Sequence, residues 1–315
     1  MELDPAPLFT DVGPGPAGGA AHWIKTSDGK RIRVGHWPLS GAKGTVLLFP
    51  GRTEYIEKYG ITAGELAERG LATIAIDWRG QGLADRLIHD PLVGHVEAFQ
   101  DYQKDVAALM RAARELNLPR PYFLLAHSMG GCIGLRAVME GLAVQAAAFT
   151  GPMWGIYIKP QLRSVASILA RVMPRIGRGE ALPPGTIKEP YVLTDPFEDN
   201  MLTTDPAMFE MMRAQLVAHP ELSLGGPSYV WLREALAETR HLAGRAAPSL
   251  PAVTWLGSNE RIVEVPRIHE RMDGWKGGRL EMIQGAEHEV LMETDALRKQ
   301  VLDGLEKLFL GTAVN

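Results

Sequence analysis

The sequence predicts an α/β fold, with a mostly parallel sheet of eight strands, helices on both faces of the sheet, and a helical insertion. Short, wholly apolar runs such as 45–49 and 72–76 are typical of strands that are buried on both faces of a parallel sheet. Segments with apolar residues three and four positions apart separate these runs and predict amphipathic helices. From about residue 151 to 242 no strand pattern is convincing, and prolines repeatedly interrupt helical patterns.

Composition narrows the class of protein. The 315 residues, 46% of them hydrophobic, suffice for one large domain with an insertion. The net charge of −4 gives no indication of the basic surface that is expected of a nucleic-acid-binding protein. The single cysteine, Cys132, excludes an internal disulfide and favours a reducing compartment, and we interpret it as a core residue.

The N-terminal residues predict no export. Met1 to Pro5 are acidic and lack the basic start and apolar stretch of a signal peptide. The most apolar long stretch, 141–158, is interrupted by glycine and proline, so no membrane-spanning helix is expected. The sequence therefore predicts a cytoplasmic protein.

The elements can be assigned in chain order. Residues 1–20, rich in proline and glycine, predict an extended arm. Asp28-Gly29 lies between two alternating runs and predicts a β-hairpin. The predicted strands are 22–26, 31–37, 45–49, 72–76, 123–127, 146–149, 252–256 and 279–283, and the clearest helices are 99–116 and 294–310. We expect an α/β core formed by 21–150 and 243–315, with 151–242 as a helical cap.

The fifth predicted strand carries the strongest functional signal. Its apolar run ends at Ser128, and Gly130 and Gly131 then open a helical segment. This order is typical of a nucleophile elbow, in which a sharp strand-to-helix turn exposes a serine hydroxyl. Ala126 stands where the Gly-x-Ser-x-Gly pattern has its first glycine. The stretch predicts a hydrolase with Ser128 as nucleophile.

A serine nucleophile needs a base and an acid that orients the base, and both are expected after later strands. Of the nine histidines, His288 lies on a glycine-led loop between the last predicted strand and the last helix. Glu260 follows the strand 252–256 and is the preferred acid, with Glu264 and Asp273 as competitors. His127 is interpreted as structural, and the other histidines show no spacing typical of metal ligands.

Ester hydrolysis also needs hydrogen-bond donors for the oxygen that becomes negative in the transition state. The backbone N–H of Met129, directly after the serine, is one predicted donor. The backbone N–H of Arg52, in the loop after the strand 45–49, is the other. If that loop is judged alone, Pro50-Gly51 can equally be a simple turn.

With these residues the chain resembles the α/β-hydrolase superfamily, and within it the bacterial lysophospholipase and monoglyceride lipase branch. The motifs are Pro50-Gly51-Arg52-Thr53-Glu54 followed by Lys58-Tyr59, Asp77-Trp78-Arg79-Gly80-Gln81-Gly82, and His127-Ser128-Met129-Gly130-Gly131. Pro50 departs from the family's histidine. The resemblance is closer to the lysophospholipases, and it implies a triad of Ser128, Glu260 and His288, a cap at 151–242, and no metal or organic cofactor.

The expected activity is that of a serine carboxylic-ester hydrolase acting on monoacyl lipids through an acyl-enzyme, most closely a lysophospholipase. The alternatives are a monoacylglycerol lipase, a short-chain esterase or peptidase of the same fold, and a catalytically silent binding protein.

The front of the predicted cap carries an apolar stripe flanked by basic side chains. The stripe comprises Leu162, Val165, Ile168, Leu169, Val172 and Met173. We interpret it as a packing face of a helix, with contact to an anionic membrane surface as the alternative. In that alternative, the protein associates peripherally with the inner face of the membrane.

Overall fold

A computed structural model describes residues 3–311, and it contains one nine-stranded sheet with helices on both sides. The strands are β1 (Asp4–Ala6), β2 (Ala20–Lys25), β3 (Arg31–Trp37), β4 (Thr45–Phe49), β5 (Ala72–Asp77), β6 (Tyr122–His127), β7 (Ala147–Thr150), β8 (Ala252–Gly257) and β9 (Gly278–Ile283). Their order across the sheet is β1-β2-β3-β5-β4-β6-β7-β8-β9. The predicted fold class is confirmed, with one strand more than predicted.

The additional strand, β1, lies in the arm that the sequence predicts to be merely extended. It pairs antiparallel with β2, and Pro5 lies opposite His22. The prolines of the arm count against a strand in sequence terms, because proline cannot donate to a ladder. At the edge of a sheet this loss is tolerated, since one side of the strand needs no partner.

The remaining strands follow the predicted pattern. β2 and β3 form the antiparallel hairpin around Asp28-Gly29, and β3 joins β5 antiparallel. Across the rest of the sheet, in the order β5-β4-β6-β7-β8-β9, all pairings are parallel. Every residue of β4, β5, β6, β7 and β8 is buried, because helices cover both faces of this part of the sheet. The carboxyl ends of these strands meet at one edge, which is the usual place for a site in an open α/β sheet.

The helices are α1 (Gly60–Glu68), α2 (Tyr102–Glu115), α3 (Ser128–Met139), α4 (Arg163–Arg175), α5 (Tyr191–Thr194), α6 (Pro206–Ala218), α7 (Tyr229–Ala243), α8 (Val265–Asp273) and α9 (Asp295–Leu310). The predicted helix over 99–116 begins with a 3₁₀ turn at Phe99–Asp101 and continues as α2. None of the helices within residues 3–311 is long and apolar enough to cross a membrane.

Helices α4 to α7 follow β7 and precede β8, and within the described chain 151–242 contributes no strand to the sheet. α7 begins where the Ser228 hydroxyl accepts the backbone N–H of Trp231 at 3.0 Å, which satisfies one of the free donors at the helix N-terminus. The same hydroxyl lies 2.9 Å from Nδ1 of His95. This contact ties the start of α7 to the loop that precedes α2.

The apolar stripe of α4 does not pack as interpreted from the sequence. Leu162, Val165, Ile168 and Val172 are 54%, 52%, 59% and 43% exposed, and Ala170 is the buried residue of this helix. The packing interpretation is therefore wrong for these four side chains of the predicted stripe. The helical period was correct, but periodicity alone does not say whether an apolar face meets protein or another apolar phase.

Candidate active site

The strand-to-helix turn at Ser128 has the backbone of a nucleophile elbow. β6 ends at His127, α3 begins at Ser128, and Ser128 has a φ of +48°. A non-glycine residue in this left-handed region costs about 1–3 kcal/mol, which the surrounding fold must offset. The Ser128 carbonyl accepts the backbone N–H of Met153 at 2.8 Å. The turn is therefore held from the segment that follows β7.

Two glycines of α3 explain how the elbow fits against the sheet. A Cβ at Gly130 would lie 2.1 Å from the carbonyl oxygen of Phe49, so only glycine lets the first turn of α3 approach the end of β4. A Cβ at Gly134 would lie 3.2 Å from the Ala126 methyl group. Gly134 therefore leaves the space that Ala126 takes up in place of the usual glycine.

The structure brings His288 and Glu260 together. Glu260 Oε2 lies 2.6 Å from His288 Nδ1, and both side chains are buried. Glu260 Oε1 accepts the backbone N–H groups of Ile262 at 2.7 Å and Val263 at 3.1 Å. The carboxylate is thus oriented by its own loop, with one oxygen on the backbone and the other on the imidazole.

The pKa values of this pair move in opposite directions. Burial alone lowers the pKa of His288, but the charge and hydrogen bond of Glu260 outweigh it, so the pKa of His288 is raised. Burial raises the pKa of Glu260, but His288 and the two backbone N–H donors outweigh it, so that pKa is lowered. Both shifts favour a carboxylate that stabilises a protonated imidazole.

The two competing acids lie elsewhere. Glu264 Oε1 accepts from Arg163 Nη2 at 3.0 Å, which turns it toward α4. Asp273 is the last residue of α8 and is exposed. Neither contacts His288 in the described chain.

Gly151 is a residue of the site that sequence reasoning missed. It follows β7 with a φ of +47°, and a Cβ there would lie 3.0 Å from His288 Nδ1. Only glycine combines this backbone conformation with so close an approach of the imidazole. The available signal was the Gly151-Pro152 pair, which begins two residues after the end of the predicted strand 146–149.

The loop Pro50–Glu54 presents the backbone next to the elbow. The Gly51 N–H donates to the Glu54 carboxylate, whereas no acceptor for the Arg52 N–H is found within residues 3–311. Met129 is the second residue of α3, and the first four N–H groups of a helix have no partner within the helix. Thr53 has a φ of +66°, which is rare for a β-branched residue and marks a constrained loop. Two free donors beside a strained turn fit an oxyanion hole.

The Asp77–Gly82 motif supports this loop. Gln81 Nε2 donates to the carbonyl oxygens of Gly51 at 2.8 Å and Glu54 at 3.0 Å, and Trp78 Nε1 donates to that of Pro50 at 2.9 Å. Pro50 can replace a histidine here because its carbonyl, which every residue has, makes the contact. The motif therefore has a positioning role.

A buried ion cluster lies beside the loop. Lys58 Nζ donates to Glu54 Oε1 at 2.7 Å and also to Glu289, and the Tyr59 hydroxyl donates to Glu54 Oε2 at 2.6 Å. The pKa of Glu54 is lowered, because the charge and hydrogen bond of Lys58 and the hydrogen bond of Tyr59 outweigh the effect of burial. The cluster joins the loop 50–54 to Glu289, the neighbour of His288.

The contacts of His127 are compatible with the structural role interpreted from the sequence, although the residue also lines the cavity described below. Its Nδ1 lies 2.9 Å from the Thr150 carbonyl oxygen, and its ring centroid lies 4.8 Å from that of His288. Burial lowers the pKa of His127 to about 3, so the ring is neutral at physiological pH. Cys132 is fully buried, and burial raises the pKa of its thiol, as expected of a core residue.

One group in residues 3–311 has the arrangement of a metal site. Ligand atoms of Glu54, His127 and Glu289 lie within 4.8 Å of one another. Lys58 donates to both carboxylates of this group and already supplies the positive charge. The donor set therefore does not fit a metal ion while Lys58 is in place.

A cavity of about 570 Å³ opens above Ser128 and His288. Its walls are predominantly apolar and include side chains from the loop after β7, from α4, from the segment between α4 and α7, and from α7. Among them are Ile156, Leu169, Val192, Leu216 and Leu232. This volume lies in the usual range of small-molecule sites.

Comparison with known proteins agrees with this geometry. The family model described as serine aminopeptidase, S33 (Hydrolase_4) matches residues 40–295. The chain belongs to this family of α/β-hydrolases. The resemblance predicted from the motifs is confirmed.

Curated relatives narrow the branch. Lysophospholipase L2 of Escherichia coli strain K12 is 34% identical over 276 residues, covering 84% of this chain and 79% of the relative. Probable lysophospholipase L2 of Haemophilus influenzae is 27% identical over 270 residues, covering 84% and 83%. The chain is thus an α/β-hydrolase of the lysophospholipase and monoglyceride lipase type.

Solved structures agree on the fold. A soluble variant of monoglyceride lipase from Saccharomyces cerevisiae, in complex with a substrate analog, superposes with a TM-score of 0.67 at 20% identity, covering 90% of this chain and 92% of that one. A thermostable carboxyl esterase from Bacillus coagulans gives a TM-score of 0.72 at 15% identity, covering 93% and 98%.

Proposed function

We propose that this α/β-hydrolase is a lysophospholipase that cleaves the carboxylic ester of a monoacyl lipid. The observation that carries the proposal is the apolar cavity above Ser128 and His288, which suits one acyl chain next to a polar reaction centre. The names of the curated relatives support the same substrate class.

In the proposed mechanism, the Ser128 hydroxyl attacks the ester carbonyl while His288 accepts its proton. Glu260 stabilises the imidazolium without taking the proton itself. The backbone N–H groups of Arg52 and Met129 stabilise the oxyanion. His288 then protonates the departing alcohol, which leaves an acyl-Ser128 intermediate, and a water activated by His288 releases the fatty acid.

The helical segment 151–242 acts as a cap in this proposal. It supplies most of the apolar wall of the cavity, whereas the core supplies Ser128, Glu260 and His288. Substrate choice therefore depends on the cap, and the chemistry depends on the core.

Labelling with a fluorophosphonate probe tests the nucleophile. We expect the wild-type protein to take up the probe at one serine and Ser128→Ala to take up none, because the probe reacts with activated serines. A wild-type protein that stays unlabelled contradicts the enzyme proposal and favours a silent binding protein. Labelling that persists in Ser128→Ala places the nucleophile elsewhere.

Substrate length separates the lipid proposal from its alternatives. In a series of nitrophenyl esters, activity should be retained for long acyl chains. Lysophosphatidylcholine and monoacylglycerol are assayed alongside as lipid substrates. Activity that falls steadily with chain length indicates a short-chain esterase. Cleavage of peptide substrates in preference to esters indicates a peptidase.

We also propose that α4 contacts anionic membranes peripherally. Its exposed apolar face includes Ile168, and Arg171 and Arg175 lie on the same helix. Apolar side chains flanked by basic ones are typical of helices that lie in a membrane interface.

Vesicle co-sedimentation tests this contact. We expect stronger binding to anionic than to neutral vesicles. Ile168→Asp should lose about tenfold to a hundredfold in binding, because burying such a side chain is worth about 1.5–3 kcal/mol. The matched control is Val217→Asp, which changes an exposed residue of α6. Equal binding to both vesicle types, or equal loss in both variants, contradicts the proposal.

A further inference from the structure

The Arg52 guanidinium is a charged group in the active-site cavity for which the mechanism has no use. The other charged side chains of the cavity wall are paired: Lys58 with Glu54 and Glu289, and His288 with Glu260. No carboxylate of residues 3–311 forms a salt bridge with Arg52. An uncompensated cation in a mostly apolar wall is costly unless a ligand supplies the missing anion.

Neutral contacts hold this guanidinium in place. Arg52 Nη1 donates to the Gly225 carbonyl oxygen at 2.6 Å, and Cζ lies 5.6 Å from the ring centroid of Trp231. Burial lowers the pKa of Arg52 to about 10, so the side chain stays charged at neutral pH. Nη1 is anchored, and the indole ring of Trp231 supports the guanidinium plane. No acceptor in residues 3–311 bonds Nε or Nη2, so both can donate to a ligand.

The position of the Arg52 guanidinium relative to the reaction centre restricts which anion can bind to it. The backbone N–H of Arg52 is a predicted oxyanion donor, so its guanidinium lies one side-chain length from the expected ester carbonyl. The carboxylate of a released fatty acid would sit at the carbonyl position itself. In a lysophospholipid, by contrast, the glycerol unit separates the ester from the phosphate by a few bonds, a span comparable with an arginine side chain.

We propose that the Arg52 guanidinium binds the phosphodiester of a lysophospholipid and thereby selects it over a neutral monoacylglycerol. Arginine suits this role, because its planar fork can give two parallel hydrogen bonds to phosphate oxygens. The inference rests on the proposed lysophospholipase function and assigns the part of the site that reads the head group. Gly225 and Trp231 are positioning residues for the guanidinium.

Binding of ether lipids to the Ser128→Ala protein tests the assignment without any turnover. The probes are the hexadecyl ether of lysophosphatidylcholine and the hexadecyl ether of glycerol, which share the chain and lack the ester. We expect Ser128→Ala to bind the phospholipid ether more tightly than the neutral ether. Adding Arg52→Met should reduce this preference by about tenfold to a hundredfold, the usual effect of losing a charged hydrogen-bond pair. Arg52→Lys should retain part of it.

A matched variant and two competitors show whether the preference belongs to this guanidinium. Arg233→Met removes a positive charge from α7, where Arg233 pairs with Glu234, and should leave the preference unchanged. Glycerophosphocholine and palmitate are tested as competitors, to separate head-group binding from carboxylate binding. Equal losses for both ethers show that Arg52 only shapes the cavity, and a larger loss for palmitate assigns Arg52 to the product carboxylate. Either result overturns the proposal.

This test is separate from the test of the function. Fluorophosphonate labelling of wild type reports on the nucleophile and does not depend on the head group. If wild type is labelled but the ether preference of Ser128→Ala is insensitive to Arg52→Met, only the phosphate assignment is contradicted. An unlabelled protein that prefers the phospholipid ether through Arg52 contradicts only the hydrolase function.

Discussion

Replacing Glu260 with glutamine is expected to lower kcat by about four orders of magnitude while the protein stays folded, as for the equivalent acid of other serine triads. Glutamine fits the same space, but it carries no charge to stabilise protonated His288 across the 2.6 Å contact. The amide can also turn its NH₂ group toward the imidazole and favour the wrong tautomer. Steady-state kinetics on a soluble ester, with a circular dichroism spectrum for each variant, measure the effect.

Glu264→Gln is the matched control, because it makes the same change in the same loop at a side chain that contacts Arg163 instead. It should retain nearly full activity. Wild-type turnover in Glu260→Gln, with a large loss in Glu264→Gln, would reassign the acid.

The pH profile gives a second, independent readout. His288 must be neutral to accept the serine proton, so kcat/KM should fall as pH decreases through its pKa. Glu260 raises that pKa above the ordinary value of 6.5, so the acid limb of wild type should lie above pH 6.5. In Glu260→Gln the attraction is lost while burial remains, and the limb should move to lower pH. An acid limb that stays in place contradicts the pairing.

Lys58→Met is expected to lower the free energy of unfolding by about 3–5 kcal/mol, the usual cost of removing one partner of a buried ion pair. The change leaves the carboxylates of Glu54 and Glu289 buried together without their shared cation. Since Glu54 also accepts the Gly51 N–H, the loop that carries Arg52 should become less ordered and activity should fall. Urea unfolding measures the stability.

The control is Lys104→Met, which removes a lysine from a partly exposed pair with Asp28 and Asp101. Exposed pairs contribute about 0–1 kcal/mol, so this variant should unfold close to wild type. If the two variants lose similar stability, the cluster at Lys58 has no special role.

Much of the fold was predictable because it follows from local patterns. Apolar runs buried on both faces, helical periodicity and the Asp28-Gly29 turn each depend on neighbours in the chain, and they predict the parallel sheet correctly. The edge strand β1 escaped prediction because an edge tolerates proline. The exposure of α4 was not predicted, because the helical spacing of apolar residues does not reveal what the apolar face contacts.

For the site, the order of strand ends along the chain was enough to bring Ser128, Glu260 and His288 to consideration, since parallel strands end at a common edge. The choice between Glu260 and Glu264 depended on the course of one loop: Glu260 turns inward to His288, and Glu264 turns outward to Arg163. The contacts that make Gly151 and the Arg52 guanidinium part of the candidate site are likewise made with residues distant in sequence. The sequence by itself determines the secondary-structure elements and the motifs, because these depend on residues that are close in the chain. The partner of a buried charge depends on packing between segments far apart in the chain, so only the tertiary structure decides it.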